Sequence, residues 1–241
     1  MINVLIYNEF VHEKKDEIVR KIYPDGIHSV IKNFLQKDAA IGNIRCATLE
    51  DHREVMSQEN LDDTDVTIWW GHAKHTEVDD GVVERTALRV LDGMGLIVLH
   101  SGHNSKIFKK ILGTRARLRW REVGEKARIW TIVKNHPITQ GLPDTFTVPH
   151  EEMYGEVFEV PTPEELIFIT WFQGGEVFRS GCTWHRGEGK IFYFQNGHET
   201  FPIYHQEEIQ RIITNAVKWA APLQRSCINV FSGPKPPYEE F

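Results

Sequence analysis

Cysteine is scarce. Cys46, Cys182 and Cys227 are the only three among 241 residues, and no two lie near one another in sequence. That spacing excludes a disulfide framework and a CxxC-type metal site, and the odd, scattered count favours a reducing compartment. Long apolar runs are missing as well. The opening Met1-Ile2-Asn3-Val4-Leu5-Ile6-Tyr7 lacks a basic leader and is far too short for a signal peptide or a membrane span. It reads as a first buried strand. No Lys/Arg run interleaves with aromatics, and a net charge of −6 gives no electrostatic footprint for nucleic acid. No internal repeat of fixed period is visible. The expectation left by these absences is a cytoplasmic protein with neither membrane nor nucleic acid as a partner.

What is present can build a sizeable core. With 41% hydrophobic residues, the length suits one α/β domain. Val4–Tyr7, Ile44–Leu49 and Asp65–Trp70 read as strands, the third rich in β-branched and aromatic residues. Gly95-Leu96-Ile97-Val98-Leu99 reads as a strand buried on both faces, followed by the tight polar turn His100-Ser101-Gly102-His103-Asn104. Helical spacing recurs over about Gly26–Lys37, Val82–Leu91, Lys106–Leu112 and His205–Ala220. Residues from Glu9 to Arg20 show charge without a clear period. Strands alternating with helices imply βαβ units and a mostly parallel sheet.

The second half changes character. Leu118–Val133 and Val157–Phe194 consist of short strand-like runs broken by Gly and Pro. Arg179–Trp184 and Lys190–Phe194, joined around Arg186-Gly187-Glu188-Gly189, carry a hairpin signal. We expect one domain over residues 1–221 and an extended Pro-rich arm over 222–241, because Gly233-Pro234-Lys235-Pro236-Pro237 cannot continue a helix. The arm and the β-rich half make a homo-oligomer plausible.

In open parallel sheets, ligands bind beyond the carboxyl ends of the strands. Those ends carry Asn8, Glu9 and then His12 after the first strand, and His72 and His75 after the third. The fourth is followed by His100, Ser101 and His103, and the last by His198 and Glu199. A single such histidine is most often structural; their joint placement on one rim points to a site. Pro149-His150-Glu151-Glu152-Met153-Tyr154 reads as a loop between the halves. Its carboxylates could serve as metal ligands or acid–base groups, or they could form a solvated acidic turn.

These residues carry a family resemblance. Gly95–His103, Glu151-Glu152-Met153-Tyr154, and Trp184 through Gly189–Tyr193 to Gly197-His198 resemble the ThuA-like (trehalose-utilisation) proteins, over Met1 to about Ala220. The resemblance implies a doubly wound, flavodoxin-like sheet of the class I glutamine amidotransferase type, with helices on both faces and added β-structure. It also implies a link to sugar metabolism, including keto-sugars, without supplying a reaction. The amidotransferases carry a Cys-x-Gly-His elbow and a later His-x-Glu pair. Here the elbow is His100-Ser101-Gly102-His103 and the later pair is His198-Glu199, so the thiol that glutaminase chemistry needs is absent from the elbow.

The expected catalytic residues are therefore His100, His198, Glu199, Ser101 and His103. Asn8, Glu9, Trp70, His75, Glu151, Tyr154 and Trp184 are expected to bind substrate, with Trp69 and Trp171 as further aromatic faces for a sugar. Two uses of the imidazoles stay open: a divalent metal such as zinc held by His72, Glu152 and His198, or metal-free proton transfer beside a ketone. No nucleotide cofactor is expected. The functional alternatives are an enzyme acting on a small sugar ligand and a non-catalytic sugar-binding or regulatory protein on the same scaffold.

Overall fold

The computed structural model describes residues 1–223. The arm expected over 222–241 therefore falls, apart from its first two residues, outside the described residues. Among the described residues nine strands form one sheet: β1 Ile2–Asn8, β2 Ile41–Thr48, β3 Val66–Trp70, β4 Gly95–Leu99, β5 Arg119–Thr131, β6 Thr145–Gly155, β7 Glu165–Phe172, β8 Val177–Arg186 and β9 Gly189–Phe194. Their spatial order is β2-β1-β3-β4-β9-β8-β7-β5-β6. The first five in that order pair in parallel. Beyond β9 every pairing is antiparallel. The added β-structure thus continues the same sheet, which is mixed.

Sequence and burial agree in the centre. Every residue of β3 and β4 is buried, as expected of apolar strands covered on both faces. The helices Ile27–Leu35 and Glu207–Ala220 pack together against the parallel strands, while Asp80–Leu91 packs with Gln58–Asp62, Lys106–Leu112 and β9. The β8–β9 hairpin closes through Gly187-Glu188, with Arg186 opposite Gly189. Gly187 has φ +57°, and a Cβ there would lie 2.3 Å from the Leu91 carbonyl oxygen. Only glycine meets both demands.

Two expectations change. Residues 12–22 form two short helices, His12–Lys15 and Glu17–Ile22, with the Asp16 carboxylate capping the second. The segment expected as a loop at Pro149–Tyr154 lies within β6. Its ladder to β5 pairs Trp120 with Tyr154 and Glu125 with Glu151. The register then shifts before Ala127 meets Val148. Pro149 falls in that shift, where its missing N–H interrupts no ladder bond. The distal half of the β5–β6 ribbon is tied by hydrogen bonds to the turns after β4 and β9. That crossing creates the site.

Candidate active site at the strand ends

The turn after β4 begins with His100 at φ +48°, a conformation that costs a non-glycine residue energy. The surroundings hold it there. The His100 Nδ1–H donates to the Gln195 carbonyl at 2.6 Å, while Nε2 lies 3.0 Å from Glu152 Oε2 and 3.3 Å from the Tyr154 hydroxyl. The Tyr154 ring stacks on the imidazole at 4.8 Å. Burial alone would lower the His100 pKa, but the Glu152 and Glu151 carboxylates and the Gln195 carbonyl outweigh it and push it up to about 9. With an acceptor at each nitrogen, His100 is an imidazolium. Its field in turn holds Glu152 below the usual carboxylate range despite burial.

The turn after β3 is shaped by Glu9. Its buried carboxylate accepts the backbone N–H groups of His72, Ala73 and Lys74 at 2.9, 3.0 and 2.8 Å. This presents His72, whose Nδ1 lies 2.5 Å from Glu199 Oε1. His12, from the short helix after β1, bonds to the same oxygen through Nδ1. Burial opposes ionisation of Glu199, yet these two imidazoles hold it far below the ordinary carboxylate range. The other oxygen, Oε2, is buried without a hydrogen-bond partner.

The turn after β9 is gathered by Glu151. Its carboxylate accepts from Asn196 Nδ2 and Gly197 N at 3.1 Å each and from His198 N at 3.4 Å. Full burial raises its pKa to about 7, against the pull of His100 and these donors. His198 Nδ1 accepts the Thr200 N–H at 3.3 Å and lies 2.7 Å from the Thr200 hydroxyl, which donates to it as well, so the neutral ring carries its proton on Nε2. That atom is buried and unpartnered, 3.6 Å from Glu122 Oε1 and 3.8 Å from both Glu152 Oε2 and Glu199 Oε2. Burial and then the His100 charge lower His198 to about 4, so the ring is neutral at physiological pH.

Of these groups, His72, Glu152 and Tyr154 line a cavity of about 360 Å³ together with His75, His103 and Glu122, while His12, His100, His198 and Glu199 lie outside its lining. A family model described as trehalose utilisation, ThuA, matches residues 3–220. The chain belongs to the ThuA family. Putative ThuA-like proteins from Bacteroides uniformis and Parabacteroides merdae superpose with TM-scores of 0.64 and 0.67 at 16% and 14% identity. The alignments cover 90% of this chain and 90% of the first, and 94% of this chain and 92% of the second. A glutamine amidotransferase from Thermotoga maritima shares the fold at TM-score 0.52 and 11% identity, covering 90% of this chain and 97% of that one. Among curated proteins none matches the sequence significantly. Neither Cys46 nor Cys182 stands at the elbow of this ThuA chain: Cys46 is on β2 and Cys182 is buried on β8. Cys227 lies outside the described residues.

Several expected residues serve the scaffold instead of facing the cavity. Asn8 donates to Glu13 at 2.7 Å and lies 2.9 Å from His28 Nδ1. Glu9 and Glu151 spend their oxygens on the amides described above. Ser101 does line the cavity, but its Oγ donates to the Gly71 carbonyl at 2.8 Å and is spent on the β3 turn. Trp70 donates to the Gly197 carbonyl at 3.2 Å, and Trp69 stacks on Tyr7. Trp184 is a core residue, packed on Phe108 with its indole N–H given to the Pro161 carbonyl. Trp171 lines a separate groove with Trp130. The expected metal triplet is divided: His72 joins His12 and Glu199, whereas Glu152 and His198 join His100. The rings of His72 and His198 still lie 5.5 Å apart, so both groups share one centre.

His75 and His103 do line the cavity, both kept neutral. Burial takes them down to about 3 and about 4. Sequence reasoning passed over Glu122, Arg117 and Trp120 on the lining, and placed His12 at the rim without giving it a role. The one available signal was alternation in Trp120-Arg121-Glu122, which sets Trp120 and Glu122 on one face of β5.

Proposed function

We propose that this ThuA-family protein is an enzyme acting on a sugar or sugar derivative bearing a carbonyl, by proton transfer in the strand-end cavity. The observation that carries the reading is the convergence of His12, His72, His100 and His198 with Glu122, Glu152 and Glu199 from separate segments around one centre. His198 Nε2–H, turned toward the lining carboxylates of Glu122 and Glu152, is the donor for a substrate oxygen that reaches between them, since a neutral imidazole can polarise a carbonyl. Glu122 is the proton carrier. Burial and the neighbouring Glu152 and Glu199 charges raise its pKa, and its half-exposed side chain connects His198 to solvent. The His100–Glu152 ion pair is a fixed field oriented before substrate arrives.

His12, His72 and Glu199 fit a divalent cation such as zinc. Two imidazole nitrogens and a carboxylate oxygen within 4.8 Å of one another match a common catalytic zinc donor set, and Glu199 Oε2 is buried there without a hydrogen-bond partner. Such an ion would supply Lewis acidity toward a substrate oxygen.

The test follows deuterium incorporation from D2O into keto-disaccharides by NMR, with metal content measured on untagged protein. His198→Gln and Glu122→Gln are expected to abolish exchange while leaving the fold intact. Glu199→Gln is expected to remove bound metal. Exchange unchanged in both of the first variants would overturn the acid–base reading, and a metal-free wild type unaffected by chelator would remove the metal part.

A further inference from the structure

A sugar ring packs favourably on an open aromatic face, and the faces expected from sequence are not free. Trp69, Trp70 and Trp184 are each 1% exposed, Trp171 lies in another groove, and one face of Tyr154 is covered by the His100 ring. Trp120 remains. It is paired with Tyr154 across the β5–β6 ladder, so their side chains share a face with Glu122 and Glu152, each two residues along. Where Tyr154 is 3% exposed, Trp120 is 65% exposed and lines the same cavity beside Arg117 and Glu122. An indole so open is kept out of the core while facing a cavity whose other lining residues, Leu118 and Tyr154 apart, are polar.

We infer that Trp120 is the platform for a glucose-configured pyranose ring, and hence a specificity-determining residue of the proposed carbohydrate site. The inference rests on that carbohydrate reading. The negative π-face of an indole attracts positively polarised C–H groups, which line both faces of a pyranose whose hydroxyls are equatorial. The hydroxyl rim then meets polar groups around the platform. Arg117, whose Nε–H is given to Glu159 at 3.0 Å, donates through its remaining guanidinium nitrogens, and Glu122 accepts. His103 gives its Nδ1–H to the Ala116 carbonyl at 2.7 Å, which leaves Nε2 as an acceptor. An acyclic polyol has the hydroxyls but no rigid face to stack.

The test titrates trehalose, methyl α-D-glucopyranoside and acyclic D-glucitol into wild type, Trp120→Phe, Trp120→Ala and Trp171→Phe, by tryptophan fluorescence and calorimetry. Wild type and Trp171→Phe should bind both glucosides and not glucitol. Trp120→Ala should bind about tenfold more weakly, the loss of one aromatic stacking contact, and Trp120→Phe should retain most of the affinity. Because the side chain is exposed, thermal unfolding of both Trp120 variants should match wild type. Unchanged glucoside affinity in Trp120→Ala would overturn the platform and leave the carbohydrate reading standing. Wild type silent to every sugar by both methods would overturn the two together, while the metal content of Glu199→Gln would still decide the His12–His72–Glu199 centre by itself.

Discussion

Replacing Glu152 by Gln removes the negative partner of a buried cation with almost no change of shape. The His100 side chain is 0% exposed and that of Glu152 6%, so little water screens their 3.0 Å contact. Burial works against the imidazolium, yet its partners raise it from 6.5 to about 9. At about 1.4 kcal/mol per pH unit, that rise is worth about 3 kcal/mol. Removing one member of a buried pair costs about 3–5 kcal/mol in other proteins, so two independent routes agree. A chain of this length loses about 2–4 °C per kcal/mol, which sets the expected fall in Tm at roughly 6–12 °C. The sign with pH is fixed as well. A raised His100 contributes fully below pH 6.5, and that contribution disappears as pH climbs through about 9. Glu152, lowered from 4.5, contributes above that value and loses its contribution as pH falls through the folded pKa. The wild-type advantage should be widest near about pH 5–6 and close above about pH 9. Circular dichroism melts across that range measure it, and histidine ¹⁵N NMR reads the ring directly. A gap independent of pH, or a His100 carrying one ring proton at neutral pH, would refute the reasoning.

Other substitutions separate scaffold from chemistry. Glu9→Ala frees the three amides of residues 72–74 and should destabilise by about 2–4 kcal/mol, read from urea unfolding, and it should weaken the metal binding proposed for His12, His72 and Glu199 because His72 loses its mount. Glu151→Ala should cost about 3 kcal/mol and loosen Gly197 and His198; hydrogen exchange at those two amides is the measurement, and unchanged protection would show that the carboxylate is idle. Trp184→Phe should lower Tm through lost core packing and the lost bond to Pro161, with glucoside affinity unchanged. Gly187→Ala should destabilise by more than about 1 kcal/mol, because the left-handed turn and the Leu91 carbonyl both oppose a Cβ.

The parallel half of the sheet was readable because its strands are apolar runs with turn signals at each end, a pattern that water enforces without help from distant residues. Histidines at strand ends were readable for the same reason, since a strand's limit fixes where the following residue stands. His100, His72 and His198 are brought together on that logic. The β5–β6 ribbon was harder. Arg119–Thr131 alternates charged and apolar residues in the manner of an exposed edge, and nothing local shows that its distal half crosses the strand ends. Glu151 illustrates the difficulty. Beside His150 and Glu152 it looks like part of a solvated acidic turn, yet it is wholly buried because the β9 turn brings amides from 45 and more residues away. Trp184 erred in the opposite direction, a recognisable aromatic whose surroundings are all core.

Among the described residues, strand β9 stands fifth of nine across the sheet but last of nine in sequence. While a nascent chain is still being made, β4 and β8 each expose a raw edge where this final strand belongs, and such edges invite pairing between molecules. Closure waits on contacts between residues nearly a hundred positions apart, such as Leu96 with Ile191, an arrangement that slows folding. A fragment ending before Gly189 would therefore be two unfinished half-sheets prone to aggregate. His198 and Glu199 leave the ribosome only after that gap can be filled, so the histidine–glutamate cluster cannot assemble ahead of the completed sheet.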